Sequence, residues 1–409
     1  MRKPKTFAAL LLATAPTLAL ADPGLPDPAA VQAALDAHPS VVAAEARTNA
    51  ARAEARALAS GSHEYNLSTG YISRSVDREG QFDEFDAVLS RAIRLPGKAR
   101  LDRQMGQHGV TAATNRAEDT RHQVALLLAQ YWWDWLGASE EAKVDRQAVD
   151  NYAAMATAVR RRVALGDAAQ LEADQAEAAL ASARLAAALS AGRADVARTR
   201  LSNAFPSLPL PDQAPVVPGP ALPESGVSSF GPKIIERSHE IAAAVADADR
   251  AGARAERSRQ DRLADPSVGF RVFSERGGLE RGAGVILSMP LGGGHRRALA
   301  DQAAAEASAA RAEVVAATLA VQEMAAADMA EARYRFEAWS RAREGLTAQM
   351  AALSKLRRGQ AAGEIDLTDV LYGERQVHDA FRAEASARTE VMRALTRLKI
   401  DSHEVWITE

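Results

Sequence analysis

Four short stretches of the chain alternate apolar and polar residues with a period of two. In the first, Tyr65, Leu67, Thr69 and Tyr71 alternate with Asn66, Ser68 and Gly70. In the second, Phe85, Ala87, Leu89, Ile93 and Leu95 stand against Asp86, Ser90 and Arg94, and Arg91 falls on the apolar side. Such alternation predicts two strands, and the polar stretch from Arg74 to Asp83 between them reads as a ten-residue hairpin loop. The third and fourth stretches repeat the pattern: Val268, Phe270 and Val272 against Gly269 and Arg271, then Ala283, Val285, Leu287 and Met289 against Gly282, Gly284, Ile286 and Ser288. The hairpins are expected at 64–95 and 266–291.

Each hairpin ends in a Pro and Gly pair, Leu95-Pro96-Gly97 and Pro290-Leu291-Gly292, and is followed by a long run rich in Ala, Leu, Arg, Glu and Gln. No proline interrupts 97–205 or 291–409. Strong helix formers without the commonest breaker predict helical arms, and an arm of nearly seventy residues spans roughly 100 Å. Each arm carries a glycine at similar depth, Gly166 (166 − 97 = 69) and Gly359 (359 − 292 = 67), read as the turn where two antiparallel helices reverse. Shorter alanine-rich helices precede each hairpin: Pro26–Ser40, with Val31, Ala34 and Leu35 on one side, then Ser40–Ala59, and a similar segment 200 residues later.

The chain is therefore expected to be a duplication: mainly α with a small β part, a helix, β-hairpin and long helical hairpin repeated. The first repeat covers 22–205 with its tip at 165–171. A connector at 206–224 carries seven of the seventeen prolines, and the second repeat covers 225–409 with its tip at 357–369. Four strands with one apolar face cannot close a barrel alone. Either they form a small soluble sheet on a helix, or several chains share one barrel with the apolar face toward lipid. In the second case Ser68, Gly70, Ser90, Arg94, Gly269, Arg271, Gly282, Gly284 and Ser288 would line a wet interior.

Composition narrows the compartment. Arg2, Lys3 and Lys5, the apolar Phe7–Leu20 and Ala19-Leu20-Ala21 read as a signal peptide over 1–21. Without it, 47 Lys and Arg face 53 Asp and Glu, which does not suit a nucleic-acid binder. With no cysteine, a disulfide framework, a thiolate metal site and a lipidated N-terminal Cys are all excluded. The eight histidines show no pair at three or four residues' spacing, and no nucleophile elbow or phosphate loop is present. No metal, cofactor, catalytic residue or enzyme activity is expected. Tyr131, Trp132, Trp133 and Trp135 lie too far down the first arm for a membrane-interface belt, and are expected to pack in a core.

The two Pro/Gly strand-to-helix junctions and the two turns resemble the TolC-type outer-membrane factors. The most specific match is Arg357-Arg358-Gly359-Gln360 followed by Ile365-Asp366-Leu367-Thr368-Asp369-Val370-Leu371. Leu165-Gly166-Asp167 with Leu171-Glu172-Ala173 is its counterpart in the first repeat. The second turn differs from the family in extra residues, Ala361 to Glu364. The resemblance implies a homotrimer with a twelve-stranded β-barrel in the outer membrane, standing on an α-helical tunnel that crosses the periplasm. It implies tips (Leu165, Gly166, Leu171, Gly359, Ile365 and Leu367) that dock a periplasmic adaptor, or membrane fusion protein, and an inner-membrane pump of RND or ABC type. Leu95-Pro96-Gly97-Lys98 resembles the heavy-metal, CzcC-like branch. Asp366 and Asp369, three apart, would share a helix face and place six carboxylates around a trimer axis as a cation-attracting gate. Their spacing equally suits two acids at a helix N-terminus. The function expected is the passive exit duct of a tripartite efflux system for metal ions or drugs. A type I secretion duct, or a periplasmic coiled-coil adaptor or scaffold without a pore, is the alternative.

Overall fold

A computed structural model describes residues 24–407; the expected signal peptide lies outside them. The described residues form helices α1 (Pro28–Asp36), α2 (Pro39–Ser60), α3 (Pro96–Ala164), α4 (Gln170–Ala204), α5 (Phe230–Glu236), α6 (His239–Gln260), α7 (Gly294–Ala361) and α8 (Leu367–Asp401). The strands are β1 (Tyr65–Val76), β2 (Gly80–Ala92), β3 (Ser267–Glu275) and β4 (Glu280–Ser288).

The duplication is more regular than the glycines suggested. Helices α3 and α7 run 69 and 68 residues, α4 and α8 run 35 each, and α2 and α6 run 22 each. Counted from the ends of α3 and α7, Ala164 and Ala361, the repeat offset is 361 − 164 = 197. At about 1.5 Å per residue, α3 and α7 are rods of roughly 100 Å. Above the middle, α2 and α6 pack beside them in the order α2-α3-α6-α7; below it, the order is α4-α3-α8-α7.

The two hairpins join through β2 and β3 into one antiparallel sheet, β1-β2-β3-β4. The first hairpin corrects the expected ten-residue loop. Its ladder continues through Arg74↔Phe82 and Ser75↔Gln81 to Val76↔Gly80, leaving only 77–79 as the turn. Polar side chains do not end a ladder, because the backbone carries it. Here Gln81 also donates to Ser73 Oγ at 2.7 Å and Arg74 pairs with Glu84 at 2.6 Å across the strands.

At mid-height lies the largest core. Trp132, Trp133, Trp135 and Leu136 of α3 are buried against Val31 and Leu35 of α1, Leu201 and Phe205 at the end of α4, and Ile400 and Trp406 at the chain's other end. The Trp132 indole donates to Gly24 O at 2.8 Å and the Trp133 indole to Thr396 Oγ1 at 3.0 Å, so the buried N–H groups are satisfied. The proline-rich connector is extended, as expected, yet it also contributes to this core through Leu208 and Val217. A second core gathers Phe230, Ile234, Trp339, Val391 and Leu398 from the other repeat.

Candidate functional site

Strand register decides what the sheet can do. Residues directly paired across an antiparallel ladder share one face. The pairs Leu67↔Leu89, Leu89↔Phe270 and Phe270↔Val285 therefore form one apolar row across all four strands. Thr69, Ala87, Val272 and Ala283 form the next row, and Tyr65, Arg91, Val268 and Leu287 the row below. The opposite face carries Asn66, Ser90, Gly269 and Ile286, then Ser68, Val88, Arg271 and Gly284, then Gly70, Asp86, Phe273 and Gly282. Both faces are largely open: Leu67, Leu89, Phe270, Val285 and Leu287 are all exposed, with no helix laid over them. Arg91, which breaks the apolar pattern, lies at the helix end of the sheet. It donates to His63 O at 2.9 Å and its guanidinium stacks 4.8 Å from the centre of the Tyr65 ring.

Where the sheet meets the helices, a charged network replaces apolar packing. Lys98 is 1% exposed, and its Nζ contacts Asp261 Oδ1 at 2.9 Å, Asp265 Oδ1 at 2.8 Å and Leu263 O at 2.6 Å. Burial alone would raise Asp265, but the hydrogen bonds from Lys98 and His63 prevail and hold its carboxyl below the usual range. Asp261 is likewise lowered: burial opposes, and Arg257 and Lys98 win. Arg94 was expected to line the interior. Instead it turns under the sheet, donating to Leu58 O at 2.7 Å and Ala59 O at 2.6 Å at the end of α2, and to Asp102 at 3.1 Å. Last-turn carbonyls lack helical partners, and a guanidinium within reach satisfies them. Lys98 sits in the junction quartet singled out in the sequence, but its two acids lie more than 160 residues away, so spacing could not expose the network.

At the tips, the first turn is as read. Gly166 has φ +81°, Gly166 N donates to Val163 O at 3.0 Å and Asp167 N to Arg162 O at 2.9 Å. The second turn repeats these bonds one for one, Gly363 N to Gln360 O at 3.0 Å and Glu364 N to Gly359 O at 2.9 Å, with Gly363 at φ +79°. The turn glycine is therefore Gly363. Gly359 lies within the last turn of α7, where a Cβ would come 2.5 Å from Ile365 Cγ1, so its role is close approach. Within the chain the two turns match in length: 165–169 and 362–366 are both five residues. Helix formers through Arg358, Gln360 and Ala361 simply prolong α7 past the first glycine.

The residues singled out at the tips separate by burial. Leu165 is 70% exposed and Leu171 is also exposed, whereas Leu367 is 4% exposed, inserted among Tyr152, Val159 and Leu180 of the first hairpin. Ile365 packs on Leu353, Val370 and Val377. Leu367 thus joins the two hairpins and Ile365 packs within the second, neither facing outward. Asp366 is the extended residue before α8 and Asp369 its third residue, so they bracket a helix N-terminus and do not share a helix face; both are exposed.

The scattered histidines find partners that spacing could not reveal. His122 Nε2 lies 2.8 Å from Asp401 Oδ1, and His378 Nε2 lies 2.8 Å from Asp145 Oδ1. The His239 and His403 rings stack at 5.0 Å. Among the described residues no group of His, Asp and Glu is placed to hold a metal ion, and no helix is long and apolar enough to cross a membrane.

No family model and no curated protein matches the sequence. Solved structures do match. The outer membrane protein VceC of Vibrio cholerae superposes with a TM-score of 0.73 at 16% identity, over 91% of this chain and 95% of that one. A membrane protein of Pseudomonas aeruginosa gives 0.74 at 18% identity, over 95% and 98%. The open state of the MtrE outer membrane channel of Neisseria gonorrhoeae gives 0.72 at 18%, over 93% and 90%. The fold is thus that of the TolC-type outer-membrane channels, along nearly the whole of both chains.

Proposed function

We propose that this chain, having the TolC-type fold, is the outer-membrane duct of a tripartite efflux system and works as a homotrimer. Four strands from each of three copies would close a twelve-stranded barrel, with the helical rods as a tunnel below it. The observation that carries this reading is the register of the sheet. It brings the apolar residues of all four strands onto one uncovered face and leaves the opposite face mostly small or polar. In water such a sheet, with both edges unpaired, invites aggregation. In a bilayer, closure satisfies every edge and the apolar face meets lipid.

The tips would dock a periplasmic adaptor, with exposed Leu165 and Leu171 as the apolar contacts beside the Gly166 turn. An inner-membrane pump would supply energy and select the cargo, metal ions or drugs. Asp366 and Asp369, open at the start of α8, would form an acidic ring about the trimer axis and favour cations at the periplasmic entrance. Reconstitution tests the duct. Detergent-extracted protein added to planar bilayers is expected to give discrete single-channel currents, and a silent bilayer with protein recovered in the soluble periplasmic fraction would reject it.

A further inference from the structure

The repeat offset predicts a contact surface that one chain cannot display. Within the chain, α8 lies against α3, and this seam is ionic. Arg393 pairs with Asp134 at 2.7 Å, Arg388 with Glu140 at 3.1 Å, His378 with Asp145 at 2.8 Å, and Arg382 with Glu141. At its centre a glycine admits a larger neighbour: a Cβ on Gly137 would lie 2.9 Å from Thr389 Cγ2 and 3.6 Å from Thr389 Cβ.

Since α4 is the copy of α8 and α7 the copy of α3, each residue of this seam has a counterpart 197 positions away. Arg382, Ser386, Thr389 and Arg393 correspond to Leu185, Leu189, Gly192 and Val196 of α4. Gly137, Glu141 and Asp145 correspond to Tyr334, Ala338 and Ala342 of α7. The counterparts on α4 are unoccupied by this chain: Leu185, Leu189 and Val196 are exposed, and nothing lies within 4 Å of a Cβ placed on Gly192. On α7, Tyr334 is 56% exposed. Two changes run together through the comparison. Arginine opposite glutamate becomes leucine opposite alanine, and the glycine moves to the other helix, facing a tyrosine instead of a threonine. Two of the four acids persist on α7: Glu331, already engaged by Arg335 at 2.6 Å, and the exposed Glu337, the counterpart of Glu140. A glycine in mid-helix is otherwise unfavourable, so a close approach at Gly192 accounts for its presence.

We infer that the α4 face bearing Leu185, Leu189, Gly192 and Val196 seats α7 of a second copy of this chain, with Tyr334 laid over Gly192. The seam between copies has apolar residues in place of all four basic partners, so it lacks the ion pairs of the equivalent seam within the chain. This rests on the oligomer proposed above, and the seam has its own test. The chain has no cysteine, so a pair can be introduced cleanly. In-chain, the Cβ spacing at Gly137 and Thr389 suits a disulfide, and Gly137→Cys with Thr389→Cys is the control that should close one without changing molecular size.

Full-length protein carrying Gly192→Cys and Tyr334→Cys, oxidised in detergent, is expected to run mostly as a covalent trimer that reductant returns to single chains. Either cysteine alone should not give a trimer. A trimer by light scattering that never forms the 192–334 disulfide overturns the seam and leaves the duct standing. A monomer in both detergent and bilayer overturns both. A second variant reads the packing itself. Gly192→Leu fits the open space in one chain but should abolish trimers, with helicity by circular dichroism unchanged, and adding Tyr334→Ala should restore them. Undiminished trimers in Gly192→Leu would also overturn the seam.

Discussion

Arg357 donates from Nε to Oε1 of Glu374 at 2.7 Å across the second helical hairpin, 17 residues along the chain. Arg160 and Glu177, 197 positions earlier, make the same pair at 3.2 Å across the first. The copies differ in burial: Glu374 is buried and Glu177 half-exposed. Removing the arginine should therefore have unequal effects. Arg357→Ala leaves a buried carboxylate without its partner and is expected to cost about 1–3 kcal/mol, whereas Arg160→Ala should cost about 0–1 kcal/mol. Hydrogen exchange in the first turns of α8 and of α4 would measure the difference directly.

Lys98 holds two carboxylates and a carbonyl beneath the sheet. Lys98→Met should destabilise the junction by about 3–5 kcal/mol, the usual cost of stranding one side of a buried ion pair. The pH dependence follows from Asp261 and Asp265, both lowered in the folded protein. Such groups stabilise the fold above their unfolded value, near pH 4, and lose that contribution as pH falls through the lower folded values. Thermal unfolding of the wild type should steepen in that acid range, and the Lys98→Met profile should be flatter there.

Asp328 titrates the opposite way. Burial pushes it up to about 6 against the attraction of Arg397, and Asp401 and Glu331 add to the rise. An acid whose folded pKa is raised binds its proton more readily when folded, so its burial costs stability above that pH and the cost fades on acidification. Asp328→Asn should melt a few degrees higher than wild type at about pH 8, with the gap shrinking below about pH 6 and largely closed by about pH 4. Calorimetry across that range checks both the sign and the closure.

The sheet's two faces should respond differently to charge. Leu89→Arg or Phe270→Arg on the apolar face should cost about 2–4 kcal/mol in a bilayer and deplete assembled protein from the outer membrane. Ser68→Arg or Gly284→Arg, on the other face, should leave assembly in place and change single-channel conductance. Equal assembly in both sets would remove the basis for assigning the faces.

At the tips, Asp366→Ala with Asp369→Ala should raise the resting conductance and weaken preference for cations, because six carboxylates would leave the proposed ring. Currents unchanged in size and selectivity would confine these aspartates to supporting the start of α8.

Periodicity made the elements legible. A period of two marked four strands, the proline-free runs marked the rods, and the register confirmed which residues share each strand face. The turns were legible in type, but only the first was legible in position. Glycine is informative by conformation, and sequence does not distinguish Gly363, which needs a positive φ, from Gly359, which needs room for Ile365. The charged junction and the histidine–aspartate pairs were illegible because partners such as His63 and Asp265 lie 202 positions apart, and only the packing of hairpin on helix unites them. Arg94 shows the same limit in reverse: its place in the alternation is correct, but the strand ends at Ala92 and no face remains for it to occupy.

The core around Trp132 and Trp133 draws on Leu35, Phe205, Val217 and Trp406, which belong to both repeats, the connector and the segment beyond α8. Its chain separations are long, so it is expected to close after the rods, which form from local contacts. A gene split between the duplicated halves would consequently yield two fragments, each missing part of the girdle the other needs.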